Sequence, residues 1–197
     1  QETNQFKFEI NEVQIDHTWT SFTFNQPFND PVVIAGPPSS NDQEPATIRI
    51  RNLDQNGFEI RIQEWDYLDG THPLETFSFM VMEAGSYEFS DGTRLEAGSF
   101  VTSDSPDKLK FNQKFKKKPL LFTQVLSSNE DDAVIVVTEK VEKKQFKYKL
   151  REQELTQAQH FADETIGYVA WEPQRAYFEG LIFELGYTKR KVTDDPF

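Results

Sequence analysis

Cysteine is absent from the 197-residue chain. Disulfides, thiolate zinc sites and cysteine nucleophiles are therefore excluded. Long apolar runs are lacking as well, and none approaches the ~18–20 residues that span a bilayer. Positive charge is in short supply. The net charge is −12, which argues against nucleic acid and against anionic membrane surfaces as partners. The motifs Gly-x-Gly-x-x-Gly, Gly-x-x-x-x-Gly-Lys-Ser/Thr, His-Glu-x-x-His and Gly-x-Ser-x-Gly do not occur, so no nucleotide cofactor, catalytic zinc or hydrolase elbow is indicated. An Asp-x-Asp-x-Asp-Gly loop is also missing, so no metal is expected. The chain starts at Gln1, compatible with an N-terminus left by processing.

Aromatic residues, by contrast, are plentiful. They make up 14% of the chain, with 18 Phe, enough to build a packed core rather than a disordered chain. The acidity is also unevenly spread. Residues 1–99 hold 5 Lys or Arg against 17 Asp or Glu, whereas residues 100–197 hold 16 of each.

The chain repeats itself. Phe24-Asn25-Gln26-Pro27-Phe28 recurs as Phe111-Asn112-Gln113-Lys114-Phe115, and Ser39-Ser40-Asn41-Asp42 as Ser127-Ser128-Asn129-Glu130. Glu64 precedes His72 by eight residues, as Glu152 precedes His160. Glu75 and Glu83 correspond to Glu164 and Glu172 with one residue inserted. The offset drifts only from 87 to 89. That order indicates duplication, and the period exceeds the ~20–50 residues of solenoid units. The expected division is residues 1–90 and 91–197, separated by the turn Ser90-Asp91-Gly92-Thr93.

Each copy reads as strands. Thr47–Arg51 and Phe58–Gln63 alternate with period two, and Asp54-Gln55-Asn56-Gly57 between them is a hairpin signal. No segment has a convincing helical period. Many short strands with regular turns predict an all-β fold, two tandem antiparallel β-sandwiches of about six strands each. Side-chain parity places Ile48, Ile50, Ile60 and Ile62 inward, and Arg49, Arg51, Arg61 and Trp65 outward.

The stretch from Trp19 to Glu83 resembles the H-type lectin domain. The matching features are the Phe22-Thr23-Phe24 strand, Pro27-Phe28, Pro31-Val32-Val33, the Arg49/Arg51 strand, Gly57-Phe58 and Trp65. Gln63-Glu64-Trp65-Asp66-Tyr67 with His72 and Glu75 is similar to bacterial forms from large surface or polysaccharide-degrading proteins. Residues 107–172 match more loosely. The resemblance implies a six-stranded sandwich that binds galactose or N-acetylgalactosamine, often at a trimer interface. It puts the family's sugar-holding Arg on Arg49 and its Trp on Trp65. The adjoining His position holds Asp66, and the second copy has Val137 and Gln153 in place of the Arg and Trp.

Three sets of residues follow as candidates. Arg49, Arg51, Arg61, Trp65, Asp66 and Tyr67 offer an indole for the C–H face of a sugar and polar groups for its hydroxyls. The competing reading is an Arg–Trp stack that merely covers the sheet. Trp171, Arg175 and Tyr177 offer a second platform, or else packing between the repeats. Glu64, His72 and Glu75, with Glu152, His160 and Glu164, could be acid–base machinery. Their retention in both copies favours a structural polar cluster instead. Trp19 reads as core or edge packing. The Lys residues at 114–118 and 140–149 read as a solvated face, with an anionic glycan as the alternative.

The resulting expectation is a non-catalytic, extracellular carbohydrate-binding module for a neutral galactan such as agarose. It requires no cofactor, and it is either part of a multimodular enzyme or a surface lectin, with oligomerisation allowed. A structural or adhesive module, or a hydrolase using Glu64, His72 and Glu75, are the alternatives.

Overall fold

A computed structural model describes residues 6–103, 106–152, 162–178 and 181–187. Among these residues there is no helix, and every sheet is antiparallel. The first six strands are β1 (Phe8–Ile15), β2 (Thr20–Thr23), β3 (Pro31–Ala35), β4 (Ala46–Arg51), β5 (Gly57–Glu64) and β6 (Glu75–Glu83). They form two three-stranded sheets, ordered β1-β6-β3 and β2-β5-β4. After β7 (Gly85–Glu88) come β8 (Arg94–Thr102), β9 (Asp107–Lys110), β10 (Leu120–Val125), β11 (Ile135–Glu139), β12 (Gln145–Arg151) and β13 (Glu164–Trp171). These repeat the same order, as β8-β13-β10 and β9-β12-β11. The hairpin β14 (Gln174–Phe178) and β15 (Leu181–Leu185) follows.

The alternation read from the sequence builds these layers. Along β5 the side chains of Phe58, Ile60 and Ile62 are buried, while Glu59, Arg61 and Gln63 are half-exposed. The inward row meets Phe77, Phe79 and Val81 of β6 in the first sandwich core. Phe58 and Phe79 pack edge to face with centroids 5.1 Å apart, a geometry that suits the ring quadrupoles. The second core is its counterpart, built on Phe111, Phe115, Phe146 and Tyr168.

The boundary expected near residue 90 falls in the turn between β7 and β8, but the two sandwiches are not separate bodies. β7 pairs with β8 and so extends the second unit's sheet. The outer faces of β1-β6-β3 and β8-β13-β10 also meet, with Val32 and Met82 packing against Leu95, Val169 and Trp171. Both faces of β6 and β13 are therefore covered, which is why β13 is buried along nearly its whole length. Leu126 of the second unit inserts into the first core. Gln124 Nε2 donates to the Ile48 carbonyl of edge strand β4 at 3.0 Å, satisfying a group that the sheet leaves unpaired.

Gly167 makes this junction possible. A Cβ there would lie 2.5 Å from Leu126 Cδ1 and 3.2 Å from Val32 Cγ1, and both side chains are buried. Gly167→Ala should therefore lower stability by about 1–3 kcal/mol through overpacking. Thermal melting checks this, and an unchanged Tm would mean that the junction yields freely.

Candidate functional site

Buried carboxylates organise the loops around the sandwiches. Glu9 accepts the Asn25 N–H at 3.0 Å, and Glu83 accepts those of Asn29 and Asp30 at 3.0 and 2.8 Å. In the second unit Glu96 accepts the N–H groups of Asn112 and Gln113 at 2.9 Å each, and Glu172 accepts that of Lys117 at 2.6 Å. Glu75 accepts Ser39 Oγ–H and the N–H groups of Asn41 and Asp42, the latter two at 2.8 and 3.2 Å. Glu164 receives Ser127 Oγ–H and the Asn129 N–H, the latter at 3.1 Å. A buried carboxylate is tolerable only when its oxygens are satisfied in this way.

The Glu64–His72–Glu75 set belongs to this framework. His72 Nδ1 lies 3.1 Å from Glu64 Oε1, and its Nε2 lies 3.4 Å from Glu75 Oε1. A neutral imidazole can donate to only one of them, whereas the imidazolium donates to both. Gly70 N–H adds a bond to Glu64 at 3.0 Å. All three side chains are at most 5% exposed. Burial alone would raise the Glu75 carboxyl. The bonds from Ser39, Asn41, Asp42 and His72 outweigh it and hold Glu75 below the usual glutamate value. In the second unit Glu152 brings its carboxylate near those of Glu130 and Asp132, and His160 lies outside the described residues. Asp42, Glu64 and His72 make the corresponding group. In both groups oxygens are already engaged, Glu64 as above and Glu130 by the Ala162 N–H at 3.0 Å.

Arg49 does not occupy the surface position that the resemblance implies. It points outward from β4 as parity requires, yet it is 0% exposed. The loop after β10 folds over it. Its guanidinium donates to the carbonyls of Asp132 and Glu130 at 2.6 and 3.1 Å and to Ser128 Oγ at 3.1 Å, and it lies 3.5 Å from Glu164 Oε1. Burial lowers its pKa from the ordinary arginine value, and the Glu164 charge opposes that shift. Arg49 is thus a tie between the units rather than a sugar contact.

The indole beside the outer arginines is Trp19, not Trp65. The Arg51 and Arg61 guanidinium carbons lie 4.1 and 4.6 Å from the Trp19 ring centroid. Arg51 Nε also donates to Glu59 at 2.5 Å, and Asn52 adds a bond to the same carboxylate at 2.9 Å. Trp65 lies four residues beyond Arg61, just past the end of β5. The Asp131 carbonyl, which accepts from Gln63 at 2.5 Å, brings the loop onto the face between them. Trp65 is half-buried, and Asp66 and Tyr67 are exposed in the turn that follows. The grouping of Arg49, Arg51, Arg61 and Trp65 into one platform is therefore replaced by an Arg51–Trp19–Arg61 stack.

The second expected platform dissolves as well. Trp171 is only 6% exposed, stacks on Phe89 at 6.0 Å and packs in the core between the units. Arg175 is exposed, and the Tyr177 side chain lies outside what the structure describes.

Next to the Trp19 stack opens a cleft that sequence reasoning missed. It lies between the two units, holds about 580 Å³, and is lined by Asp30, Arg51, Asn52, Ser99, Ser127 and Asn129, among others. Its second-unit wall is set by the groups just described, since Glu164 fixes Ser127 and Asn129 while Arg49 fixes Ser128. In the sequence the recurrence of Ser-Ser-Asn registered only as part of the repeat. Nothing local signalled that this loop would close over β4.

Over 173 residues, 82% of this chain, the sequence is 31% identical to part of halomucin from Haloquadratum walsbyi (strain DSM 16790 / HBSQ001). The chain spans 2% of the length of that relative. No protein-family profile matches the chain, and no solved structure does.

Two outcomes follow from the buried charges. Arg49→Met leaves Glu164 buried without its cation and should cost about 3–5 kcal/mol. Denaturant unfolding reads this, and a loss below about 1 kcal/mol would contradict the role given to Arg49. A carboxyl held low in the folded state stabilises above the unfolded glutamate value of about 4.3, and that contribution disappears as pH falls through the folded value. Stability should accordingly be flat from neutral pH to about 5 and fall below about 4. Glu75→Gln should lower stability at neutral pH and make the acid decline shallower.

Proposed function

We propose that this chain is a non-catalytic glycan-binding module of a surface-exposed protein, and that its ligand lies in the cleft between the units. The observation that carries the reading is a polar cleft whose wall includes Arg51, the same arginine that stacks on the Trp19 indole. Hydroxyl and amide groups of Ser99, Ser127, Asn52 and Asn129 suit the hydroxyls of a sugar. Trp19, half-exposed beside Arg51, suits the apolar C–H face of an adjoining ring.

The resemblance to H-type lectins supports a galactose-type ligand, although the residues now assigned differ from those that carry the family's site. The acidity of the first unit, with 5 cations against 17 acidic groups over residues 1–99, favours a neutral galactan there. The burial of Glu64, His72 and Glu75 supports binding over hydrolysis, because those groups were the candidates for acid–base work. The likeness to a small part of halomucin supports a building block of a long extracellular chain. A structural spacer is the second reading, favoured by the buried ties between the units.

Retention on agarose and on soluble galactans, with reducing ends assayed in parallel, tests the proposal. Trp19→Ala and Arg51→Ala should each weaken retention at least tenfold, while Trp65→Ala should leave it nearly unchanged and no reducing ends should appear. Retention unaffected by Trp19→Ala would remove the site. Release of reducing ends would replace binding with hydrolysis.

A further inference from the structure

The outer face of the second unit's β9-β12-β11 sheet carries a charge pattern that the glycan cleft does not use. Lys108 and Lys110 on β9, and Lys147, Lys149 and Arg151 on β12, share this face by strand parity. Among the described residues Glu139 is the one acid paired with them, 3.3 Å from Lys149. Beside it lies a depression of about 290 Å³ lined by Lys108, Lys147 and Lys149 together with Asp107 and Glu139.

Edge protection explains only part of this. Lysines blunt exposed strand edges, which accounts for β9. β12 is the central strand, so its three cations guard no edge. Lys108 sits directly opposite Lys147, and like charges in that relation destabilise a sheet. The first unit shows what the same positions hold when this charge is not needed. Ser21 pairs with Glu59 where Lys108 pairs with Lys147. Thr23, Arg61 and Gln63 stand where Lys110, Lys149 and Arg151 do. On these two strands five equivalent positions thus go from neutral in sum to five positive charges, while on the third strand Arg49 and Arg51 give way to Val137 and Glu139, so the whole face rises from a net of two positive charges to four.

We infer that this face binds an acidic polysaccharide, carboxylated or sulfated. Side chains two residues apart on one face of a strand are about 6.6 Å apart, and neighbouring strands about 4.8 Å. The face is therefore a flat cationic grid suited to an extended polyanion. Single-stranded nucleic acid would require exposed aromatic rings for its bases. Here Phe146 and Tyr148 point inward, 0% and 6% exposed. The inference is independent of the galactan reading, since it concerns another face, another unit and a ligand of opposite character.

The test is binding of the full chain to dextran sulfate and polygalacturonate, with uncharged dextran as control, across a salt series. Binding to the two polyanions alone is expected, weakening steeply with salt as counterions are released. Lys108→Ser with Lys147→Glu copies the first unit's Ser21/Glu59 pair. It should weaken polyanion binding at least tenfold and flatten the salt dependence. If that variant melts early, Lys110→Thr with Arg151→Gln carries the same test. Trp19→Ala should bind polyanions normally, which separates this outcome from failure of the galactan site. Wild-type affinity in both double variants, retention on uncharged dextran, or tighter binding to a single-stranded oligonucleotide or to anionic phospholipid vesicles would overturn the inference.

Discussion

Carboxylates buried against backbone N–H groups hold this molecule's loops in place. Glu9, Glu75 and Glu83 in the first unit, and Glu96, Glu164 and Glu172 in the second, each accept bonds from loop amides. A sandwich of strands this short leaves much of its chain in connections, whose polar backbone needs partners wherever it is buried. In a chain without cysteine, charge-assisted hydrogen bonds supply that anchoring. The arrangement also couples the units. Glu164 fixes its own loop and meets Arg49 of the first unit, so a loop anchor and a junction share one charge.

That coupling positions the candidate site. The cleft exists because the loop after β10 is held at Ser127 and Asn129 by Glu164 and at Ser128 by Arg49. A wall fixed in advance loses little conformational freedom when a ligand arrives, which favours affinity. The stack of Arg51 and Arg61 on Trp19 likewise holds the indole in a set orientation, and Arg51 links it to the cleft wall. The same two-unit plan gives a second, chemically different face on the β9-β12-β11 sheet, where lysines stand in place of serine, threonine and glutamate.

Much of the fold was legible in the sequence because it rests on local signals. Period-two alternation placed β4 and β5, the Asn-Gly turn joined them, and the recurring motifs mapped onto corresponding strands and loops. The recurring Glu64, Glu75 and Glu164 were read as structural because they persisted where the sugar-binding pattern did not, whereas Glu83 and Glu172 registered only as part of the repeat. Glu9 and Glu96 were overlooked, although they share the 87-residue offset of Asn25 and Asn112. The site was less legible. Parity gave the direction of Arg49 correctly, but a loop some 80 residues away determines whether that direction meets solvent. Trp171 took the second of its two readings, packing between the repeats, because its outward face became the junction between units. Trp19 lies just before β2, so no alternation assigned its face. Its partners come from β4 and β5 across the sheet.

Amide hydrogen exchange of the intact chain tests most directly whether buried carboxylates fix these loops. The amides of Asn25, Asp30, Asn41, Asn112 and Asn129 lie outside the strands, yet they should exchange as slowly as strand amides of the adjoining sheets. Exchange at the rate of open, solvated loops would contradict the account, because the walls of the cleft would then have nothing to hold them.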